Sequence, residues 1–338
     1  MSRLNYKADL SALLIAGLIL AVLGWFFSRK PLVMDNQITV SPQTVNNIKA
    51  IDNNAPRITA GYLYIIVNKN NSKQVEKINL DGGSRTVIYT DSDEKMKLIN
   101  GIGIRNNTVI VLESKGKESE IGNITTISTD RKASKTIIQE DINFNLNPIY
   151  DKDSDQLVIT DFSGVERDFG FMVSVEKIDG SNQRNILKNI NGILNITTSK
   201  NKVFIAQLQE KQTKLIIYDD NGNKVKEATV DGVLINSSWD KGKIYLSIAP
   251  SGNATANQSK INVFSGELVS QPSKITHHDG SEVNIIPISD STIAYLAIQY
   301  KNGVVSSNVE GDIIFANIDS GEEKNLGKAV KIIGYSNE

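Results

Sequence analysis

The chain has no cysteine, and only two histidines and two tryptophans among its 338 residues. Without cysteine there are no disulfides, no thiolate metal sites and no sulfur nucleophile. Two histidines leave little for imidazole acid–base work, so any such chemistry falls to carboxylates. An excess charge of one sign is missing as well: 37 basic residues face 38 acidic ones, for a net charge of −1. A nucleic-acid binder needs a basic excess to displace counterions from phosphates, so that class is excluded. The sequence holds no G-x-S-x-G nucleophile elbow, no Walker loop, no dinucleotide fingerprint and no H-E-x-x-H pair. No resident cofactor is expected. What is abundant is Ile, Asn, Lys and Ser, the bias of an AT-rich bacterial genome, and 40% hydrophobic residues, enough to bury a large core.

One segment differs sharply from the rest. LSALLIAGLILAVLGWFF, residues 10–27, is an uncharged run of eighteen, which reaches the lower end of bilayer-spanning length. Trp25, Phe26 and Phe27 close it, where aromatic rings favour the lipid interface. The residues that follow, Ser28-Arg29-Lys30-Pro31, offer no small-residue cleavage site, so the run reads as an uncleaved anchor rather than a signal peptide. Arg3 and Lys7 before it balance Arg29 and Lys30 after it, so charge does not orient it. Residues 1–9 form a tail too short to fold. Residues 28–57, broken by Pro31, Pro42 and Pro56, read as a tether with one short strand at Gln37–Val40.

From residue 58 to 338 the pattern is all-β. One apolar strand recurs as YLYIIV, VIVLES, LVITDF, VFIAQL, IYLSIA and AYLAIQ, about 40–50 residues apart, the period of a four-stranded propeller blade. A shorter strand and a polar turn precede it: INGIGIRNNTVIV, NPIYDKDSDQLVI, ILNITTSKNKVFI, INSSWDKGKIYLS and IIPISDSTIAYLA. The alternating Asp151, Asp153 and Asp155 of DKDSD resemble the start of a calcium loop. Yet DKDSD fills the slot held elsewhere by RNN, SKN, DKG and SDS, where Asp and Asn serve the turn. A calcium loop also wants Gly at its sixth position and Glu at its twelfth; here stand Gln156 and Phe162. The segment therefore reads as a turn.

A second hairpin completes each unit, with turns such as LDGGS, IDGSN and DDNGN. EKINLDGGSRTVI and VEKIDGSNQRNIL, with NPIYDKDSDQLVIT, resemble the repeat of TolB-type six-bladed β-propellers and the wider dipeptidyl-peptidase-like propeller superfamily. The unit at 146–190 follows that repeat closely, and the first-strand Trp of the family is kept only as Trp239. The resemblance implies a six-bladed β-propeller and an extracytoplasmic habit, hence an N-terminus inside and a C-terminal domain outside the membrane. It does not imply the TolB function. The nucleophile elbow of the peptidase domain found beside some related propellers is missing.

The first apolar strand has no inner partner beside it in sequence, whereas AVKIIGYS at 329–336 is left over at the other end. Lys331–Tyr335 is therefore expected to be the innermost strand of the blade formed by residues 61–90, closing the ring.

Connections between second and third strands, and between blades, vary in length, and varied loops on a rigid scaffold are where binding resides. Candidate binding residues on that face are Glu166, Arg167, Asp168 and Phe169, with His277, His278 and Asp279 in a blade-to-blade connection. TDSDE at 90–94, QED at 139–141 and Asp231 add acidic groups there. Asn100, Asn147, Asn195, Asn236 and Asn284 sit near corresponding positions of the inner strands. Such a ring can line a polar channel, ligate calcium, or satisfy backbone groups through water. The expected function is a membrane-anchored binding or scaffold module for a protein, peptide or glycan of a cell-envelope complex. The alternative is a lactonase- or glycosidase-like propeller hydrolase with a metal or carboxylates in its funnel.

Overall fold

The computed structural model describes residues 60–70, 72–91, 96–115, 121–130, 134–143, 146–163, 170–250, 259–265, 268, 272–276, 278, 280–299 and 309–337. All belong to the compact unit Ala55–Glu338. The expected anchor at 10–27 and tether at 28–57 lie outside the described residues. Among the described residues there is no helix long and apolar enough to cross a membrane, and every regular element is a strand.

The strands fall into six antiparallel sheets of four. Blade 1 holds β1 (Tyr62–Lys69), β2 (Ser72–Asn79) and β3 (Arg85–Thr90). Blade 2 follows with β4 (Met96–Arg105), β5 (Thr108–Lys115), β6 (Ile121–Ser128) and β7 (Ser134–Asn143). Blade 3 is β8 (Leu146–Asp151), β9 (Gln156–Ser163), β10 (Gly170–Lys177) and β11 (Arg184–Ile190). Blade 4 is β12 (Ile193–Ser199), β13 (Lys202–Gln209), β14 (Gln212–Tyr218) and β15 (Lys224–Asp231). Blade 5 is β16 (Val233–Asp240), β17 (Lys243–Ala249), β18 (Lys260–Ser265) and β19 (Ser273–Lys274), its outer strand cut to two residues. Blade 6 is β20 (Ser281–Pro287), β21 (Thr292–Ile298), β22 (Gly311–Asn317) and β23 (Glu323–Ala329). The last strand, β24 (Lys331–Ser336), pairs with β1 in the register Leu63↔Tyr335, Tyr64↔Gly334, Ile65↔Ile332 and Ile66↔Lys331. It is the inner strand of blade 1, as the leftover C-terminal repeat requires. The architecture is a six-bladed β-propeller closed by its C-terminus.

The recurring apolar strand is the second of each blade, and its unbroken hydrophobicity has a cause. Successive side chains point to opposite faces of the sheet, and both faces are covered by neighbouring blades. Leu63, Ile65 and Val67 of β1 pack with Ala294, Leu296 and Ile298 of blade 6. Tyr64 and Ile66 pack instead with Val109 and Val111 of blade 2. Ile110 and Leu112 then meet Leu157 and Ile159, and Val158 meets Val203 and Ile205. Phe204 and Ala206 meet Ile244 and Leu246, and Tyr245 meets Ile293 and Tyr295. Six core clusters thus fill six blade interfaces. Burying a large apolar side chain in such an interface contributes about 1.5–3 kcal/mol.

The turns follow their chemistry. Lys200-Asn201 and Lys241-Gly242 both have positive φ at each residue, the type I′ geometry that suits a two-residue hairpin. Asp179 and Asp219 brace third–fourth turns, accepting from Ser181 N and Asn221 N at 2.9 Å each. First–second and third–fourth turns share one end of the ring. Ala60 lies at that end too, where Tyr335 Oη donates to its carbonyl at 3.4 Å.

Candidate functional site

The six inner strands β4, β8, β12, β16, β20 and β24 enclose an axial channel of about 980 Å³. Close approach at the axis explains the glycines of these strands. A Cβ on Gly101 would lie 2.4 Å from Ile333 Cγ1, and one on Gly334 would lie 2.7 Å from Ile104 Cγ1. Every inner strand also carries a register shift against its second strand. A bulge of this kind leaves backbone groups outside the ladder.

The asparagines sit at these bulges. Asn100 faces Leu112, Asn195 faces Ala206 and Asn236 faces Ser247 in the paired registers. Asn147 and Asn284 fall within the shifts Leu146/Ile149 and Val283/Ile286. The side chain of Asn147 lies outside the described residues. The other four line the channel, and each carbonyl oxygen is engaged. Asn195 Oδ1 accepts from Ser237 Oγ, from blade 4 to blade 5. Asn236 Oδ1 accepts from Ile285 N at 3.2 Å, from blade 5 to blade 6. Asn284 Oδ1 accepts from Ile332 N, and its Nδ2 donates to Ile332 O at 3.0 Å, from blade 6 to blade 1. Asn100 instead turns on its own strand and accepts from Gly101 N at 2.9 Å. Backbone N–H donors fix which end of the amide is oxygen in Asn100, Asn236 and Asn284. Three of these residues therefore act as blade-to-blade staples, each doing for the axis what a strand neighbour does within a sheet.

The DKDSD turn lies at the turn end of β8. Asp151 Oδ1 accepts from Asp153 N at 3.0 Å, and its Oδ2 from Ser154 Oγ at 2.8 Å and Asn201 N at 3.3 Å. Asp153 Oδ2 accepts from Ser199 Oγ at 3.1 Å. Asp155, at φ 55°, accepts from Arg105 Nε and Nη2 at 2.6 Å each and from Tyr150 Oη at 2.7 Å. The Arg105 hydrogen bonds hold the Asp155 carboxyl below its ordinary range, while burial above all pushes the Tyr150 phenol up. Three carboxylates directed at separate sets of partners, a guanidinium among them, form a braced turn rather than a converging cation cage. Lys152 reaches from this turn to the buried Asp240 at 2.7 Å, bridging blade 3 to blade 5 at the turn end of the channel.

Glu166, Arg167, Asp168 and Phe169 lie outside the described residues, as do His277 and Asp279. His278 is described and partly buried. Its carbonyl accepts from Lys260 Nζ, which also donates to Gly280 O at 2.8 Å. Lys260 faces the fully buried Glu282 at 3.5 Å. Glu282 Oε2 further accepts from Ile261 N at 2.9 Å and from Thr276 Oγ1. This connection is thus anchored by a lysine and a glutamate that the adjacent histidines overshadow in the sequence.

One channel residue escaped the asparagine pattern. Lys331 pairs with Ile66, the position in β1 that matches Leu112, Ala206 and Ser247 in the other second strands. It is the sixth member of the ring. Laying AVKIIGYS over KLINGIGI with Gly334 on Gly103 sets Lys331 on Asn100, a signal present in the sequence but hidden by the change of residue type.

No protein-family model matches the sequence, and no curated protein does. Solved structures share the fold. A TolB from Acinetobacter baumannii superposes with a TM-score of 0.60 at 12% identity, over 82% of this chain and 66% of that one, just under two thirds. A putative TolB from Agrobacterium tumefaciens gives 0.58 at 12% identity, over 81% and 92%. A structure of a nidogen/laminin complex gives 0.54 at 11% identity, over 82% and 97%. The likeness is one of fold.

Proposed function

We propose that this protein is a membrane-anchored, extracytoplasmic propeller that serves as a binding or scaffold module for a protein, peptide or glycan of the cell envelope. The observation that supports a module over a hydrolase is the state of the inner asparagines. Asn195, Asn236 and Asn284 hold neighbouring blades with the oxygens that a funnel metal would need. The run at 10–27 supports the anchor: as a helix it would span about 27 Å at about 1.5 Å per residue. The connections that vary in length supply the docking face.

Fractionation tests the anchor. The full chain should pellet with membranes and leave them only in detergent, and protease added outside intact protoplasts or spheroplasts should cleave the propeller. Cross-linking followed by affinity capture should then return one envelope partner reproducibly. A soluble chain, or a protected propeller, would remove the anchored reading. One tightly held metal per chain, with hydrolysis that a chelator abolishes, would replace the module with the hydrolase.

A further inference from the structure

Five places of the axial ring hold asparagine and the sixth holds lysine. The ring's geometry gives that exception a consequence. On β4, β12, β16 and β24 the residue at this position shares a face with its second-strand partner, and that face looks to the next blade. Ile66, opposite Lys331, packs against blade 2. Lys331 therefore projects as the asparagines do, toward Asn100. But Asn100 has turned its oxygen to Gly101 N. No side chain or backbone group among the described residues accepts from the Lys331 ammonium. Burial pushes its pKa down, yet the residue lines the channel and is only partly buried.

The rest of the ring has the same polarity. The oxygens of Asn100 and Asn236 are taken by backbone N–H donors, whereas their Nδ2 groups have no acceptor among the described residues. At this level the channel thus presents donors and one positive charge. The carboxylates that line the channel, Asp151, Asp153 and Asp240, lie at the turn end, four residues or more and so ~13 Å further along the strands. Each is already bonded. Glu282, next to the ring on β20, points into blade 5 toward Ile261 and Thr276. An asparagine at 331 could staple blade 1 to blade 2; a lysine there loses that bond and places a charge in a poorly solvated bore.

We propose that Lys331, with the free amide donors of Asn100 and Asn236, forms an anion site in the axial channel that receives a carboxylate. A carboxylate matches a single cation surrounded by neutral donors, and it accepts several hydrogen bonds at once. A phosphate dianion would carry in a second charge with no cation to meet it. The site rests on the channel alone and is independent of the anchored-scaffold reading.

Competitive acylation of the full chain in detergent tests it. Each lysine is labelled with a trace amine-reactive ester and its rate read by peptide mass spectrometry, at fixed ionic strength. The probes are acetate, a blocked peptide with one glutamate, inorganic phosphate and chloride. Acetate or the peptide should slow labelling of Lys331 several-fold and saturably, with exposed Lys226 and Lys324, which lie outside the channel, unchanged against chloride. Protection by acetate marks a small-acid site, and protection by the peptide alone marks an acidic side chain of a partner. In a Lys331→Asn variant, which refills the ring and so retains the fold, any rise in melting midpoint that these probes give should vanish. Equal labelling in all salts, or protection by phosphate alone, would overturn the proposal.

Discussion

Asn284 grips the backbone of Ile332 on both sides: its Oδ1 accepts from the Ile332 N–H and its Nδ2 donates to the Ile332 carbonyl at 3.0 Å. The bond joins the last blade to the strand that closes the first. Asn284 also sits at φ 54°, which asparagine tolerates better than most residues. Asn284→Ala would leave a donor and an acceptor at the seam unpaired, at about 1–3 kcal/mol for each such group. A urea titration should show the midpoint fall. Removing residues 331–338 should do far more, opening the ring and exposing the β1 edge. A truncated chain that melted like the intact one would contradict the closure.

Gly101 and Ile333 meet with no room for a methyl group, since a Cβ on Gly101 would lie 2.4 Å from Ile333 Cγ1. Gly101→Ala should destabilise by about 1–3 kcal/mol through overpacking. Ile333→Ala should cost about 2–5 kcal/mol through the lost core side chain. The double variant should be less unstable than the sum, because each change makes space for the other. Strict additivity in a double-mutant cycle would show that the two do not share this contact.

The Arg105–Asp155 pair joins blade 2 to the DKDSD turn at 2.6 Å. Asp155 has its folded pKa lowered below 3.8, so its contribution is present above that value. It is lost as pH falls through the still lower folded value. Because both side chains are largely exposed, the pair is worth no more than about 1 kcal/mol. Asp155→Asn should therefore melt slightly lower at neutral pH and match the parent in strong acid. Calcium or EDTA should leave the midpoint of the parent unchanged; a calcium-dependent rise with one ion per chain would restore the cation-loop alternative.

Lys331 moves stability with pH in the same direction, but its charge costs stability where that of Asp155 adds it. Burial lowers its folded pKa from 10.5, so the unfolded chain binds the proton more tightly. Stability lost to this lysine below its folded pKa is recovered as pH rises from the folded value toward 10.5. Lys331→Asn should therefore be more stable than the parent at neutral pH. Its advantage should shrink as pH approaches 10.5. Paired urea midpoints across pH 7 to 10.5, in chloride, read this difference directly, and a gap independent of pH would mean that the ammonium is fully solvated.

Much of this molecule is written locally. The second strands were legible because burial on both faces demands an unbroken apolar run, and the turns because Gly, Asn and Asp supply the backbone they need. Repetition of that unit, with one strand missing at the start and one spare at the end, was enough to assign the closure of the ring to Lys331–Tyr335, which β24 confirms. The outer strand of blade 5, reduced to Ser273–Lys274, was not legible, since an edge strand packs too little to leave a pattern. Nor did any stretch of sequence say that Asn236 would bond Ile285, that Asp155 would meet Arg105, or that Lys331 would find no acceptor among the described residues. Those contacts join residues about one blade apart in the chain. They depend on where a bulge shifts the register and on which strand stands next around the axis. Local periodicity carries neither, so the chemistry of the channel came into being only when six sheets closed on one another.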